Sequence, residues 1–280
     1  MLIAVDVHDR PDDVLRAALP WARTFKRRVD LAFASEWSTE DVTPPHPTPE
    51  LEARIAEWSA LAAGERVALD ELVARVPEAY RGRGVFLSGR AIDVLPDATR
   101  PTGITVVATH GRGLVGRALL GSVSARLIRA AQGPVLVLHL DEAESPAAPP
   151  TVVVPIDLDH GASALRQVAE LLPQASFRLV NVLPMPGWSG VFSHEDDARA
   201  ALRTLARAES LVDAEVTVLP PARRPGDAIA AFATRAGADL IALPTRGRTG
   251  VTRWALGSVT ERVVHVATMP VLVTRLRSPD

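Results

Sequence analysis

Two Gly-Ser pairs are the residues in this chain best suited to chemistry. Nine residues separate Gly111 from Gly121-Ser122, and nine separate Gly247 from Gly257-Ser258. A glycine lets the backbone approach a phosphate closely, and the free N–H groups of a helix start attract anions. The serine hydroxyl adds one more donor at each start. Two carboxylates complement these loops: Asp6 closes the apolar run that begins at Met1, and Asp157 closes the run that begins at Thr151. A carboxylate is unsuited to phosphate but suits an adenine amino group or a ribose hydroxyl. That division of labour describes a nucleotide site, present twice.

Four other chemistries fit the residues poorly. Gly116 to Ser122 has the glycine spacing of a P-loop, but the required lysine is absent. The only lysine is Lys26, remote from every Gly-rich segment, so Schiff-base chemistry has no candidate either. Asp157-Leu158-Asp159-His160 has the residue types of a metal cluster, yet its counterpart Asp6-Val7-His8-Asp9 permutes them, which reads as polar turn and helix cap. Any Mg²⁺ would be held by nucleotide phosphates. His110 and His265 have no serine or carboxylate at a spacing that implies a hydrolytic triad. The expectation is a protein without an efficient catalytic centre, with weak nucleotide hydrolysis at most.

The elements that must position these residues come from a duplication. Ala108–Leu138 aligns with Pro244–Thr274 without a gap, and 15 of 31 positions are identical, so the chain is two copies of one unit. Each copy reads as loop, helix, tight turn and a closing Pro-Val-Leu-Val strand. Upstream, Met1–Val7, Val29–Ala34, Val85–Leu87 and Ile104–Ala108 read as strands. Their counterparts are Thr151–Leu158, Phe177–Val182, Glu215–Leu219 and Leu240–Leu243. Continuous Val/Ile/Leu runs suit strands covered on both faces, and helical patterns alternate with them. The fold class is therefore α/β: two tandem doubly wound, Rossmann-like domains, each a five-stranded parallel sheet flanked by helices. The domains are expected at 1–140 and 151–280, with the Pro/Ala-rich, acidic stretch 141–150 as linker. The closing strands Val135–Leu138 and Val271–Thr274 each leave an unpaired apolar edge, and they are expected to meet each other. A loop at Pro184-Met185-Pro186-Gly187-Trp188-Ser189-Gly190 reads as surface structure or as a flap over a ligand.

Composition narrows the partners. Net charge is −2, so nothing in the balance calls for nucleic acid or an anionic membrane. The chain contains no cysteine, which removes disulfides, thiolate metal sites and thiol nucleophiles. With 47% hydrophobic and 23% charged residues it has the material for a sizeable core. No apolar run reaches the roughly 20 residues of a membrane helix, and no basic leader opens the sequence. A cytoplasmic protein is expected.

At its motifs the chain resembles the universal stress protein family, in its tandem two-domain form. The family motif G-x2-G-x9-G-[ST] reads here as Ala108-Thr109-His110-Gly111, nine residues, Gly121-Ser122, and again as Pro244-Thr245-Arg246-Gly247, nine residues, Gly257-Ser258. The first glycine is replaced in both copies, and Pro244 cannot donate a backbone hydrogen bond. The resemblance implies ATP or AMP as ligand. It implies a first site of Ala4, Val5, Asp6, Ala108, His110, Gly111, Arg112, Gly121, Ser122, Val123 and Ser124. The second site would be Pro155, Ile156, Asp157, Pro244, Arg246, Gly247, Arg248, Gly257, Ser258, Val259 and Thr260. It also implies a stress-response regulator acting through ligand-dependent conformation on an unidentified protein partner, with an internal pseudo-dimer built on the fifth strands. A nucleotide-free scaffold on the same fold is the alternative, and a homodimer of chains is left open.

Overall fold

A computed structural model describes residues 1–37, 48–100, 103–109, 120–140, 145–158, 162–185, 194–245 and 257–275. The chain divides into two compact units. One holds the described residues up to Ala108 together with Gly121–Gly133, and the other holds Thr109, Leu120 and the described residues from Pro134 onward.

The first unit contains β1 (Leu2–Ala4), α1 (Pro11–Thr24), β2 (Val29–Ser35), α2 (Pro49–Arg75), β3 (Arg81–Ser88), α3 (Ala91–Ala98), β4 (Thr105–Thr109, of which Thr109 groups with the other unit) and α4 (Ser122–Ala130). Its strands lie in the order β3-β2-β1-β4. All run parallel, with Leu2 opposite Asp30 on one side of β1 and opposite Thr105 on the other. The apolar runs explain this: Ile3, Leu31, Ala32, Val106 and Val107 are buried as strands covered on both faces must be. Helix α1 seats Val14, Leu15, Ala18, Trp21 and Ala22 in the core, its buried residues recurring at helical spacing.

β3 is longer than the Val85–Leu87 expected from the sequence. The β2–β3 pairing extends to Val29–Arg81 through an irregularity between Val29 and Leu31. There the Asp30 carboxylate accepts the Arg83 N–H at 2.9 Å. A Cβ on Gly82 would lie 2.1 Å from Asp30 Oδ1 and 2.6 Å from the Val29 carbonyl oxygen. Only glycine permits that approach.

The second unit begins with β5 (Val135–His139) and continues with β6 (Thr151–Pro155), α5 (Ala162–Leu171), β7 (Ser176–Val182), α6 (Glu195–Ala208), β8 (Glu215–Leu219), α7 (Pro225–Arg235), β9 (Leu240–Thr245), α8 (Ser258–Val266) and β10 (Val271–Arg275). The strand order is β5-β10-β9-β6-β7-β8. Strands β6 to β10 pair parallel with their neighbours, whereas β5 pairs antiparallel with β10. The closing strands of the two copies thus pair as expected. The closing strand of the first copy packs with the second unit, because Val135–Leu138 and Val271–Val273 bury one another's edges almost completely.

The end of the linker is fixed by Asp239. Its carboxylate accepts the N–H of Ala147 at 2.9 Å and of Thr151 at 2.7 Å, clamping the entry to β6 against the entry to β9.

Candidate functional site

In each unit the chain changes direction across the sheet at one place. It runs from β1 to β2 to β3, then returns to the other side of β1 with β4; it runs from β6 to β7 to β8, then returns beside β6 with β9. Ligands of open α/β sheets bind outside the carboxyl ends of the strands at such a switch point. Ile3 is in register with Val106, so Val5 and Ala108 each stand two residues further toward the carboxyl edge. Val153 is in register with Ile241, and Asp157 and Pro244 lie beyond that pair on their respective chains. The strand-one aspartates and the carboxyl ends of β4 and β9 therefore lie at the switch points.

The residues expected from the sequence take matching positions in the two halves. Ala4 and Pro155 are half-buried, Val5 and Ile156 are buried, and Asp6 and Asp157 are exposed. Backbone pairing continues one step past each strand, with the Val5 N–H donating to the Ala32 carbonyl at 2.9 Å and the Ile156 N–H to the Val180 carbonyl at 2.8 Å. At the helix starts, Gly121 and Ser122 are exposed, Val123 is half-buried and Ser124 is buried; Gly257, Ser258, Val259 and Thr260 repeat that sequence. Ala108 is half-buried, and Pro244 lies within β9 opposite Thr274. The calls on His110, Gly111, Arg112, Arg246, Gly247 and Arg248 lie outside the described residues, as does the loop from Pro186 to Trp188.

The two glycines are informative because nothing among the described residues requires them. Gly121 and Gly257 are the N-caps of α4 and α8, with ordinary φ values of −62° and −59°. Among the described residues, a Cβ added to either meets nothing within 4 Å. Neither start carries a side-chain cap. Their carbonyls accept the first intrahelical bonds, from Ala125 and Glu261, each at 2.9 Å. The first-turn amides have no partner within the helix, and the helix dipole favours negative charge there. Among the described residues, nothing fills the space that a Cβ would take beside those amides. Ser124 serves differently: its hydroxyl reaches the Ala108 carbonyl at 3.5 Å, tying α4 to the end of β4.

Sequence reasoning missed a polar cluster at the same edge of the first unit. Glu65 on α2 is 6% exposed and Ser35, the last residue of β2, is 1% exposed. The Ser35 hydroxyl donates to Glu65 Oε2 at 2.5 Å, and Glu65 Oε1 lies 3.0 Å from His8 Nε2. The His8 N–H donates to Asp6 Oδ1 at 2.9 Å, so the cluster reaches the candidate site. The signal was in the helix: Glu65 falls on the stripe completed by Leu69, Leu72 and Val76, a polar residue at a core position. In the second unit the carbonyl after β6 is engaged instead, with Asn181 Nδ2 donating to the Ile156 oxygen at 2.9 Å.

Helix α8 is also pinned from behind. The Arg262 guanidinium pairs with Asp227 on α7, and that hydrogen bond holds Arg262 still more firmly in its charged form. Among the described residues, no group of His, Asp and Glu side chains is placed to hold a metal ion, and no helix is long and apolar enough to cross a membrane.

Comparison with known proteins agrees with this geometry. A family model described as the universal stress protein family matches residues 1–139 and 150–275. A universal stress protein of Mycobacterium tuberculosis is 33% identical over 184 residues, covering 61% of each chain. One of Mycolicibacterium smegmatis is 31% identical over 195 residues, covering 65% of each. The chain thus spans less than two thirds of the length of these relatives. A solved universal stress protein from Archaeoglobus fulgidus covers 99% of this chain, and is itself covered over 98%, with a TM-score of 0.71 and 20% identity, a likeness of fold.

Proposed function

The chain belongs to the universal stress protein family, and from that premise we propose that it is a stress-response regulator that binds adenine nucleotide, ATP or AMP, once in each half. The observation that carries this reading is the pair of glycines at the helix starts. Neither backbone conformation nor packing against described residues calls for glycine at Gly121 or Gly257, yet both copies keep it at the sheet's switch point. A ligand group approaching the first-turn amides accounts for that, and the charge preference of a helix start makes it a phosphate. Asp6 and Asp157, exposed across the switch point, then face the base or ribose.

His110, Gly111, Arg112, Arg246, Gly247 and Arg248 complete the two phosphate loops in this proposal, and any Mg²⁺ is held by the phosphates. The units that bind are the sequence domains 1–140 and 151–280, joined by 141–150. Binding acts by shifting the conformers that a protein partner recognises, in the cytoplasm. Turnover is slow or absent.

The test is direct. Purified protein is denatured and the released small molecules are identified by mass spectrometry, and ATP and AMP are titrated calorimetrically into the ligand-free chain. Two equivalents of adenine nucleotide per chain are expected. Binding in neither half would replace this reading with a nucleotide-free scaffold.

A further inference from the structure

Glu65 is a carboxylate where α2 meets the sheet, and burying one costs free energy unless its oxygens are satisfied. Both are: one faces His8, the other accepts from Ser35. Ser35 Oγ in turn accepts the backbone N–H of Trp37 at 3.2 Å. One buried group thus cross-links the turn that follows β1, from Asp6 to His8, and the turn that follows β2, from Ser35 to Trp37. Each turn carries an exposed ring. The His8 side chain is 66% exposed and lies edge-on to Phe33, with centroids 6.1 Å apart. Trp37 is 44% exposed, among the few large apolar side chains left in solvent.

The second unit repeats the position without the network. Ala4 is in register with Ala32 and Pro155 with Val180, so Trp37 and Met185 each stand five residues beyond the partner of their strand-one residue. Met185 is likewise exposed, at 38%. Leu183 takes the place of Ser35, and α6 buries Ala198, Leu202 and Ala206, with no acid among them. A large apolar side chain is held in solvent at the same edge in both halves, and among the described residues a buried network supports it only in the first.

We infer that Trp37 and His8 are aromatic walls for the nucleobase in the first half, that Glu65 is the positioning residue that sets them, and that Met185 is the corresponding apolar wall of the second half. The inference rests on the nucleotide reading above and adds how each half holds the base. Every base presents a π-face, and stacking on an aromatic side chain strengthens binding without reading base edges. The first half then draws more of its affinity from the base, and the second draws more from the phosphates.

The experiment titrates ATP and base-free tripolyphosphate into the wild-type chain and into Trp37→Leu, Glu65→Gln and Glu65→Leu, by calorimetry and tryptophan fluorescence. Trp37→Leu should weaken ATP binding in one of the two sites by about tenfold, leave tripolyphosphate unchanged and remove most of the ATP-induced quenching. Glu65→Leu should lose ATP affinity in the same site. Glu65→Gln should retain it, since its amide oxygen still accepts from Ser35 and its NH₂ donates to His8. A merely structural Glu65 would affect ATP and tripolyphosphate alike. Trp37 is exposed, so its variant tests the inference even where Glu65→Leu fails to fold. Unchanged ATP affinity in Trp37→Leu overturns the stacking walls and leaves nucleotide binding standing. No ATP binding by the wild-type chain overturns both.

Discussion

Leu136 on β5 and Leu272 on β10 are register partners in an antiparallel pair, and they occupy the same position in the two sequence copies. Val135 faces Val273 and Val137 faces Val271 on either side of them, so the pairing is self-complementary about the leucine pair. Both leucines are fully buried, and side chains directly opposite on antiparallel strands share one face of the sheet. Leu136→Ala and Leu272→Ala should each cost about 2–5 kcal/mol. The double variant should cost measurably less than their sum, because the two cavities merge. Urea unfolding of the four proteins of this cycle measures it, and strict additivity would show that the leucines do not pack on each other.

Gly121→Val and Gly257→Val should each cost at most about 1 kcal/mol of stability: a side chain at either position enters open space among the described residues, but valine is a poorer N-cap than glycine. Each should abolish nucleotide binding in its own half and spare the other. Calorimetric stoichiometry falling from two to one in each single variant, with at most a small fall in the thermal unfolding temperature, is the expected result. Two intact sites in either variant would mean that no ligand approaches these helix starts.

Asp13, in the first turn of α1, supplies a pH dependence. Arg10 Nε donates to its Oδ2 at 2.6 Å and Arg16 Nη1 to its Oδ1 at 2.8 Å. The hydrogen bond from Arg10, aided by the charge of Arg10 and Arg16, holds this carboxyl below the ordinary carboxylate value. A depressed folded value contributes stability that is fully present above the unfolded value, near 4, and is lost as pH falls through the folded one. Asp13→Asn should therefore be less stable than wild type at neutral pH, with the gap closing below about pH 4. Urea midpoints measured from pH 3 to 7 check this, and a gap constant with pH would refute it.

The duplication made most of the fold legible. Strands covered on both faces announce themselves as Val/Ile/Leu runs, and the copies confirm each other. β3 was read short because Gly82 and Gly84 look like loop residues, and the close approach of Asp30 that makes Gly82 necessary is a tertiary fact. At the site, Asp6, Asp157 and the Gly-Ser pairs were visible because backbone chemistry demands those types. Glu65, Ser35 and His8 were not, since they come from three elements distant in sequence and meet only when α2 packs on β2. Their one local trace was an acid on an apolar helical stripe.

Gly226 links packing to the second site. It lies in the first turn of α7, where a Cβ would stand 2.8 Å from Arg262 Cβ, 2.9 Å from its Cγ and 3.0 Å from the Val259 carbonyl oxygen. Val259 belongs to the first turn of α8, the turn proposed to meet phosphate, and the adjacent Asp227 grips Arg262 from the same helix. Two effects oppose each other in Gly226→Ala. Alanine is the better helix former by about 0.5–1 kcal/mol. Overpacking against groups that cannot rotate away costs about 1–3 kcal/mol, and Arg262 Cβ and a helix carbonyl are such groups. Overpacking should win, and because α7 and α8 must separate to relieve it, the α8 start should move with them. Gly226→Ala is therefore expected to be less stable than wild type by about 1–2 kcal/mol and to bind nucleotide more weakly in the second half alone. Urea unfolding and calorimetric titration measure the two effects on one sample. A gain in stability would mean that helix propensity outweighs the contact, and an unaltered second site would mean that the start of α8 is held independently of α7.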